Sequence, residues 1–120
     1  MSSMPSASRP RSFRIFYRDY LNDIAISSLQ PESLPAERLA PMAETVLQHA
    51  DNYFGVVDAE EAVLQLYLDD DESSVIVELL YPESQGMLRR SMPIEQAFAL
   101  LADLPDPFDE SLLPGAQFIN

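Results

Sequence analysis

At 120 residues, with 47% hydrophobic content and no cysteine, the chain suits one modest core and excludes disulfides, thiolate chemistry and cysteine-ligated zinc. It has no lysine, and four of its seven arginines (Arg9, Arg11, Arg14, Arg18) fall in an acid-free first 18 residues. Residues 19–120 set three arginines against 20 acids, a local balance of −17 that repels nucleic acid and anionic membrane and attracts a basic partner.

Residues 1–11, rich in Ser, Pro and Arg, read as a disordered arm ahead of a single α+β domain over 12–120. From Phe13 the pattern reads as a helix. Phe13, Phe16, Tyr17, Tyr20, Leu21 and Ile24 fall at i, i+3, i+4, i+7, i+8 and i+11. Arg11, Arg14 and Arg18 would project within about 60° of one another beside that stripe. The alternating strand reading (Phe13, Ile15, Tyr17) explains fewer positions. Residues 27–36, with Pro31 and Pro35, read as a connector. A second helix is expected from Pro41, with Met42, Ala43, Val46, Leu47 and Ala50 inward.

The character then changes. Tyr53–Val57, Ala62–Leu68 and Ser74–Leu80 are rich in Val, Leu, Ile and Tyr, and short acidic turns separate them. They predict an antiparallel meander, with Met87–Met92 as a fourth strand. A last helix is expected from Pro93 to Asp103, and Pro105 stops it. The proline-rich tail is expected to be an irregular coil pinned by Phe108, Leu112, Leu113 and Phe118. The expected architecture is therefore α+β: two N-terminal helices, a three- to four-stranded antiparallel β-meander, one helix and a C-terminal coil. No run approaches the roughly 18–20 apolar residues of a membrane span, and no apolar core of a secretory signal follows the first arginines. A cytoplasmic protein is expected.

No catalytic motif fixes a reaction. The four adjacent acids Asp69, Asp70, Asp71 and Glu72 lack the alternate spacing and glycine of a calcium loop, so they read as a solvated hairpin tip or a docking patch. Asp58, Glu60 and Glu61 form a second acidic turn, at the opposite end of the sheet if the strands pair as a hairpin. His49 is the only histidine, and nothing nominates a nucleophile beside it, so a partly buried structural role is expected. Gly55, Gly86 and Gly115 are isolated, which gives nucleotide binding no support; Gly55, inside a strand, marks a bulge or a close backbone approach. The expectation is a non-enzyme with no metal and no cofactor. Its candidate partner-binding residues are the two acidic turns together with Tyr53, Tyr67 and Tyr81, strand tyrosines that would sit among acids. A loosely docked first helix would offer Phe13, Phe16 and Tyr20 to a second subunit, which makes a homodimer one form the chain could take.

The segments "YFGVVDAEEAVLQLYLDD", "SVIVELLYPESQG" and "SMPIEQAFALLADLP" run between Tyr53 and Pro105. Together they resemble a pattern among small bacterial immunity proteins of polymorphic toxin and contact-dependent secretion systems. The resemblance implies an intracellular antidote that binds one cognate toxin and occludes its active site or substrate groove. It does not extend to the N-terminal segment. The charge agrees with it, since a nuclease toxin presents a basic groove that an acidic antidote can fill. The alternative is an acidic secretion chaperone holding an effector segment, and a small enzyme is the third reading.

Overall fold

The computed structural model describes residues 12–120, so the expected arm at 1–11, with Arg9 and Arg11, lies outside the described residues. Eight strands form one antiparallel sheet: β1 (Ser12–Asp19), β2 (Ile24–Ile26), β3 (Glu32–Pro35), β4 (Tyr53–Val57), β5 (Val63–Leu68), β6 (Ser74–Leu80), β7 (Met87–Pro93) and β8 (Gln117–Ile119). Two helices, α1 (Leu39–Val46) and α2 (Ile94–Leu101), complete the regular structure with 3₁₀ turns at Ala36–Arg38 and Glu110–Leu112. The spatial order is β2-β1-β4-β5-β6-β7-β8, and β3 also pairs with β1. Tyr17 and Arg18 pair with both β2 and β4, and Arg14 and Ile15 with both β3 and β4. Strands β2 and β3 therefore share the outer edge of β1 as one border interrupted by residues 27–31.

This corrects the expected architecture of two N-terminal helices before a meander. The first of those helices does not exist: Phe13–Asp19 is a central strand and Ile24–Ile26 part of a border strand. The aromatic spacing misleads because β1 is apolar on both faces. Phe13 and Ile15 point into the core, while Phe16 points the other way and is covered too. Residues on opposite faces of a strand thus imitate the three- and four-residue steps of a helix. With no helix there, the aromatic helix face proposed for a homodimer is absent as well; Phe13 and Phe16 are buried and only Tyr20 stands exposed. Likewise Arg14 and Arg18 lie on one face of a strand rather than along a helix.

Elsewhere the expected elements stand close to the observed ones. The three meander strands and β7 are present within a residue or so of their expected bounds, and α1 and α2 occupy the positions of the second and third expected helices. The connector at 27–36 contains β3, and the tail, expected to be irregular, returns as β8 against β7.

The core fills one face of the sheet. Phe54 and Val56 of β4, Leu64 and Leu66 of β5, and Val75, Val77 and Leu79 of β6 are fully buried there. Leu39, Ala43 and Val46 of α1 and Ala97 and Leu101 of α2 cover them. Helix α1 lies on β1 and β4, α2 lies on β6 and β7, and the helices touch each other. Burial of each such aliphatic side chain contributes about 1.5–3 kcal/mol, so this single layer of contacts dominates the stability. The C-terminal segment closes the core with Phe108 and Leu113, and the Phe108 ring stacks on Phe13 at 5.9 Å. Phe118 is 60% exposed and does not pin the tail as expected. Among the described residues no helix is long and apolar enough to cross a membrane.

Candidate partner-binding face

Both described helices pack on one side of the sheet, so among the described residues the other side has no covering layer of helix. The strand registers place three rows of side chains across this open face. The first row runs Arg14, Val57, Val63, Leu80, Met87. The second runs Phe16, Gly55, Gln65, Glu78, Arg89, and the third runs Arg18, Tyr53, Tyr67, Ile76, Ser91. Val63, Leu80, Met87, Ile76 and the two tyrosines are only half-buried. A face meant only for water would carry polar residues at most of these positions.

Gly55 explains the shape at one side. A Cβ at this position would lie 2.1 Å from Cζ of Phe16, so the Phe16 ring rests directly over the glycine. The strand register is unbroken through Gly55, which makes it a close approach rather than a bulge. Tyr53 meets the Phe16 ring edge-on, with centroids 6.3 Å apart.

The centre of the face holds a carboxylate. Glu78 is only 4% exposed, and its charge is met on every side. Arg89 donates to Oε2 from Nε at 3.0 Å and lies 2.9 Å away through a terminal nitrogen. The Tyr67 hydroxyl donates to the same oxygen at 2.6 Å, and Gln65 Nε2 donates to Oε1 at 3.2 Å. Burial, followed by the bond to Glu78, pushes the Tyr67 phenol up to about 12, so it stays a donor at any physiological pH. Arg89's own hydrogen bond to Glu78 raises the arginine. A buried charge is tolerable only when it is paired and hydrogen-bonded, and this cluster meets that condition across three adjacent strands. Its effect is to lock the rotamers of Gln65, Tyr67 and Arg89 into a rigid polar centre.

Beside that centre lies a groove of about 630 Å³. Phe16, Tyr53, Val63 and Tyr67 line it from the sheet, and Pro31 and Asp51 line it from the flanking loops. Among the described residues, Asp51 and Glu61 are its only charged lining residues. Arg14 holds the groove's own Glu61, donating to Oε2 at 2.8 Å, and also donates to the Asp58 carbonyl at 2.7 Å, while Arg18 pairs with Asp23 at 3.5 Å. A buried polar knot fixes the groove's far rim. Asn52 donates to Asp19 Oδ1 at 3.0 Å and to the Val46 carbonyl at 2.8 Å, and accepts from the Tyr20 N–H at 2.8 Å. It ties β1, α1 and β4 together at one point. The Asn22 side-chain bond is the chief cause holding the Asp19 carboxyl below its usual range.

The residues singled out from the sequence divide by place. Tyr53 and Tyr67 are register partners and face away from the helices, on the groove. Tyr81 lies on the other side, packed against the core, with its hydroxyl 3.5 Å from the Phe108 carbonyl. Burial, followed by the nearby Asp109 and Glu110 charges, raises its phenol. The turns at 58–61 and 69–72 lie at opposite ends of β5, so they do not form one patch. Asp58 is 1% exposed and gives no surface charge. Its carboxylate accepts from the N–H groups of Glu60, Ala62 and Phe108, each at 2.8 Å, and so fastens the C-terminal segment to the β4–β5 turn. Glu60 is exposed and Glu61 is held by Arg14. Asp69 accepts from Ser91 Oγ at 3.1 Å, and Asp71 accepts from the N–H groups of Ser73 and Ser74. The Ser73 N–H in particular lowers the Asp71 carboxyl. Asp70 and Glu72 project into solvent.

His49 is exposed in the turn after α1, where Nδ1 accepts from the Asp51 N–H at 3.2 Å, so it has no buried structural role. Sequence reasoning missed Glu78, Arg89, Gln65 and Phe16 as parts of one face. The available signal was a single acid inside the apolar run "VIVELL", since an isolated charge at an otherwise buried strand position needs a partner across the ladder. Neither the family models, nor the curated proteins, nor the solved structures compared with this chain give a match.

Proposed function

We propose that the chain is an acidic protein-binding module of the immunity type. In this reading it acts in the cytoplasm and neutralises a basic toxin by laying the open face of its sheet over the toxin's active site or substrate groove. The observation that carries this reading is the face that the described helices leave uncovered: a groove lined by aromatic and aliphatic side chains, with Asp51 and Glu61 as the charged residues among its described lining and Glu61 paired with Arg14. Half-buried tyrosines around a water-excluding centre are the residues from which interface hot spots are built. The surplus of acids over the rest of the body steers a cationic partner toward the surface and speeds its capture. The rigid Gln65–Tyr67–Glu78–Arg89 cluster keeps the surface pre-shaped, which lowers the ordering cost of binding.

Affinity capture with the full chain from its native lysate tests this. The expected result is one basic protein whose capture weakens as salt rises and whose growth inhibition is relieved by co-expression of the chain. Tyr53→Ala or Val63→Asp on the open face should weaken that complex by about 10-fold or more. Capture of an acidic partner, or affinity unchanged in both variants, would remove the reading.

A further inference from the structure

Asp51 and Tyr53 stand on either side of Asn52, and both line the groove. Asn52 is fully buried and bonded to Asp19, Tyr20 and Val46, so the spacing of its two neighbours is set by the fold rather than by a loose loop. Tyr67 lies opposite Tyr53 across the ladder, and the Phe16 ring backs Tyr53 edge-on at 6.3 Å. Neither tyrosine ring carries a cation among the described residues. Arg18, the register partner of Tyr53, is drawn instead to the Tyr20 ring at 4.6 Å and to Asp23 at 3.5 Å. The Asp51 carboxylate has no arginine beside it among the described residues. His49 Nδ1 lies 3.9 Å away, but that nitrogen accepts the Asp51 N–H and so brings no proton to the carboxylate. Gln65 adds a second acceptor: its Nε2 is taken by Glu78, which leaves Oε1 with no donor among the described residues.

We infer that the groove is a receptor for one arginine side chain of the partner, its guanidinium stacked on Tyr53 and Tyr67 and hydrogen-bonded to Asp51 at the rim. A carboxylate without a counter-charge favours a cation over an acidic or wholly apolar occupant. The aromatic walls then select among cations. A guanidinium is planar and weakly hydrated, so it can lie on a ring while its edge donates to a carboxylate. An ammonium is compact and strongly hydrated, and it gains less from the same walls. The chain holds one such arrangement of its own, at Arg18 between Tyr20 and Asp23. A volume of about 630 Å³ admits a whole side chain with its flanking backbone. Glu61 takes no part, because Arg14 holds it. This occupant rests on the open face being the one that meets a basic partner, as proposed above, and it gives that partner's anchor a chemical identity.

A model side chain tests the site without any partner. N-acetyl-arginine methylamide is titrated into the full-length chain at about 0.15 M salt, where general attraction to the acids is screened. Saturable shifts are expected at the amide resonances of Tyr53, Gly55, Gln65 and Tyr67. The lysine analogue should bind several-fold more weakly, and the neutral citrulline analogue should have no effect. Asp51→Asn alters an exposed side chain, and Tyr53→Leu keeps apolar bulk while removing the ring; each should weaken arginine binding by about 5-fold. Shifts that are absent from the groove, or confined to the turn at 69–72, overturn the inference. So does equal binding of the lysine or citrulline analogue, or undiminished binding in either variant. A basic partner can still be captured in each of those cases, whereas a groove that takes arginine in a lysate with no basic partner would sink the immunity reading alone.

Discussion

Gly55 is the smallest residue on the open face and the one with the least freedom to change. Its backbone is ordinary extended strand; the constraint is space, because the Phe16 ring occupies the volume a side chain would need. Gly55→Ala should therefore destabilise the protein by about 1–3 kcal/mol, read as a lower urea midpoint with an unchanged slope. The cost should shrink sharply in a Phe16→Leu background, because the two residues share one volume and their effects cannot add. Equal costs in both backgrounds would mean that the ring does not define the site. Asp58 shows the same economy in a polar residue. Its carboxylate, which the sequence presents as one more surface acid, instead accepts three N–H donors, two from its own turn and one from the C-terminal segment. An acid in a turn looks alike in the sequence whether it faces water or caps the backbone, because only the fold decides which donors converge on it.

At the level of elements, the meander from Tyr53 to Leu80 was legible because apolar runs of strand length end in acidic turns. Helices α1 and α2 were legible because Pro41 and Pro93 stand near their starts and the apolar period is clean. Strand β1 was not, since it is covered on both faces and its aromatic spacing matches a helix equally well. Strands β3 and β8 were hidden by the neighbouring prolines, which are tolerated at sheet borders but argue against a strand on composition alone. Of the candidate site, Tyr53 and Tyr67 could be placed from strand alternation. The Glu78–Arg89 pair could not, because it depends on the β6–β7 register. The Asp19–Asn52 knot joins three elements and contributes to the acid response of the fold. Asp19 is held below its ordinary value of 3.8, so its contribution is fully present above that pH and is lost as pH falls through the lower folded value. Asp19→Asn should lower stability at neutral pH and flatten the decline below about pH 4, measured by urea unfolding across an acid series. A decline as steep as that of the unaltered chain would mean that other carboxylates set the acid limit.

For the molecule as a whole, self-repulsion and partner attraction come from the same charges and respond oppositely to salt. At a net charge of −13, added salt should raise the thermal midpoint of the free protein by screening its acids from one another, while the same salt weakens capture of a basic partner. Scanning calorimetry and binding measured over one salt series would show the two slopes with opposite sign; a thermal midpoint that falls with salt would show that internal ion pairs outweigh repulsion. The sheet's borders carry a further consequence. One border is split into pieces of three and four residues with Pro35 inside it, and the other is three residues of β8 followed by the uncovered end of β7, which closes on Pro93. Neither gives a neighbouring molecule enough exposed backbone to add a strand. Crowded copies thus meet short, interrupted margins instead of a long template, which disfavours fibril growth by edge-to-edge stacking.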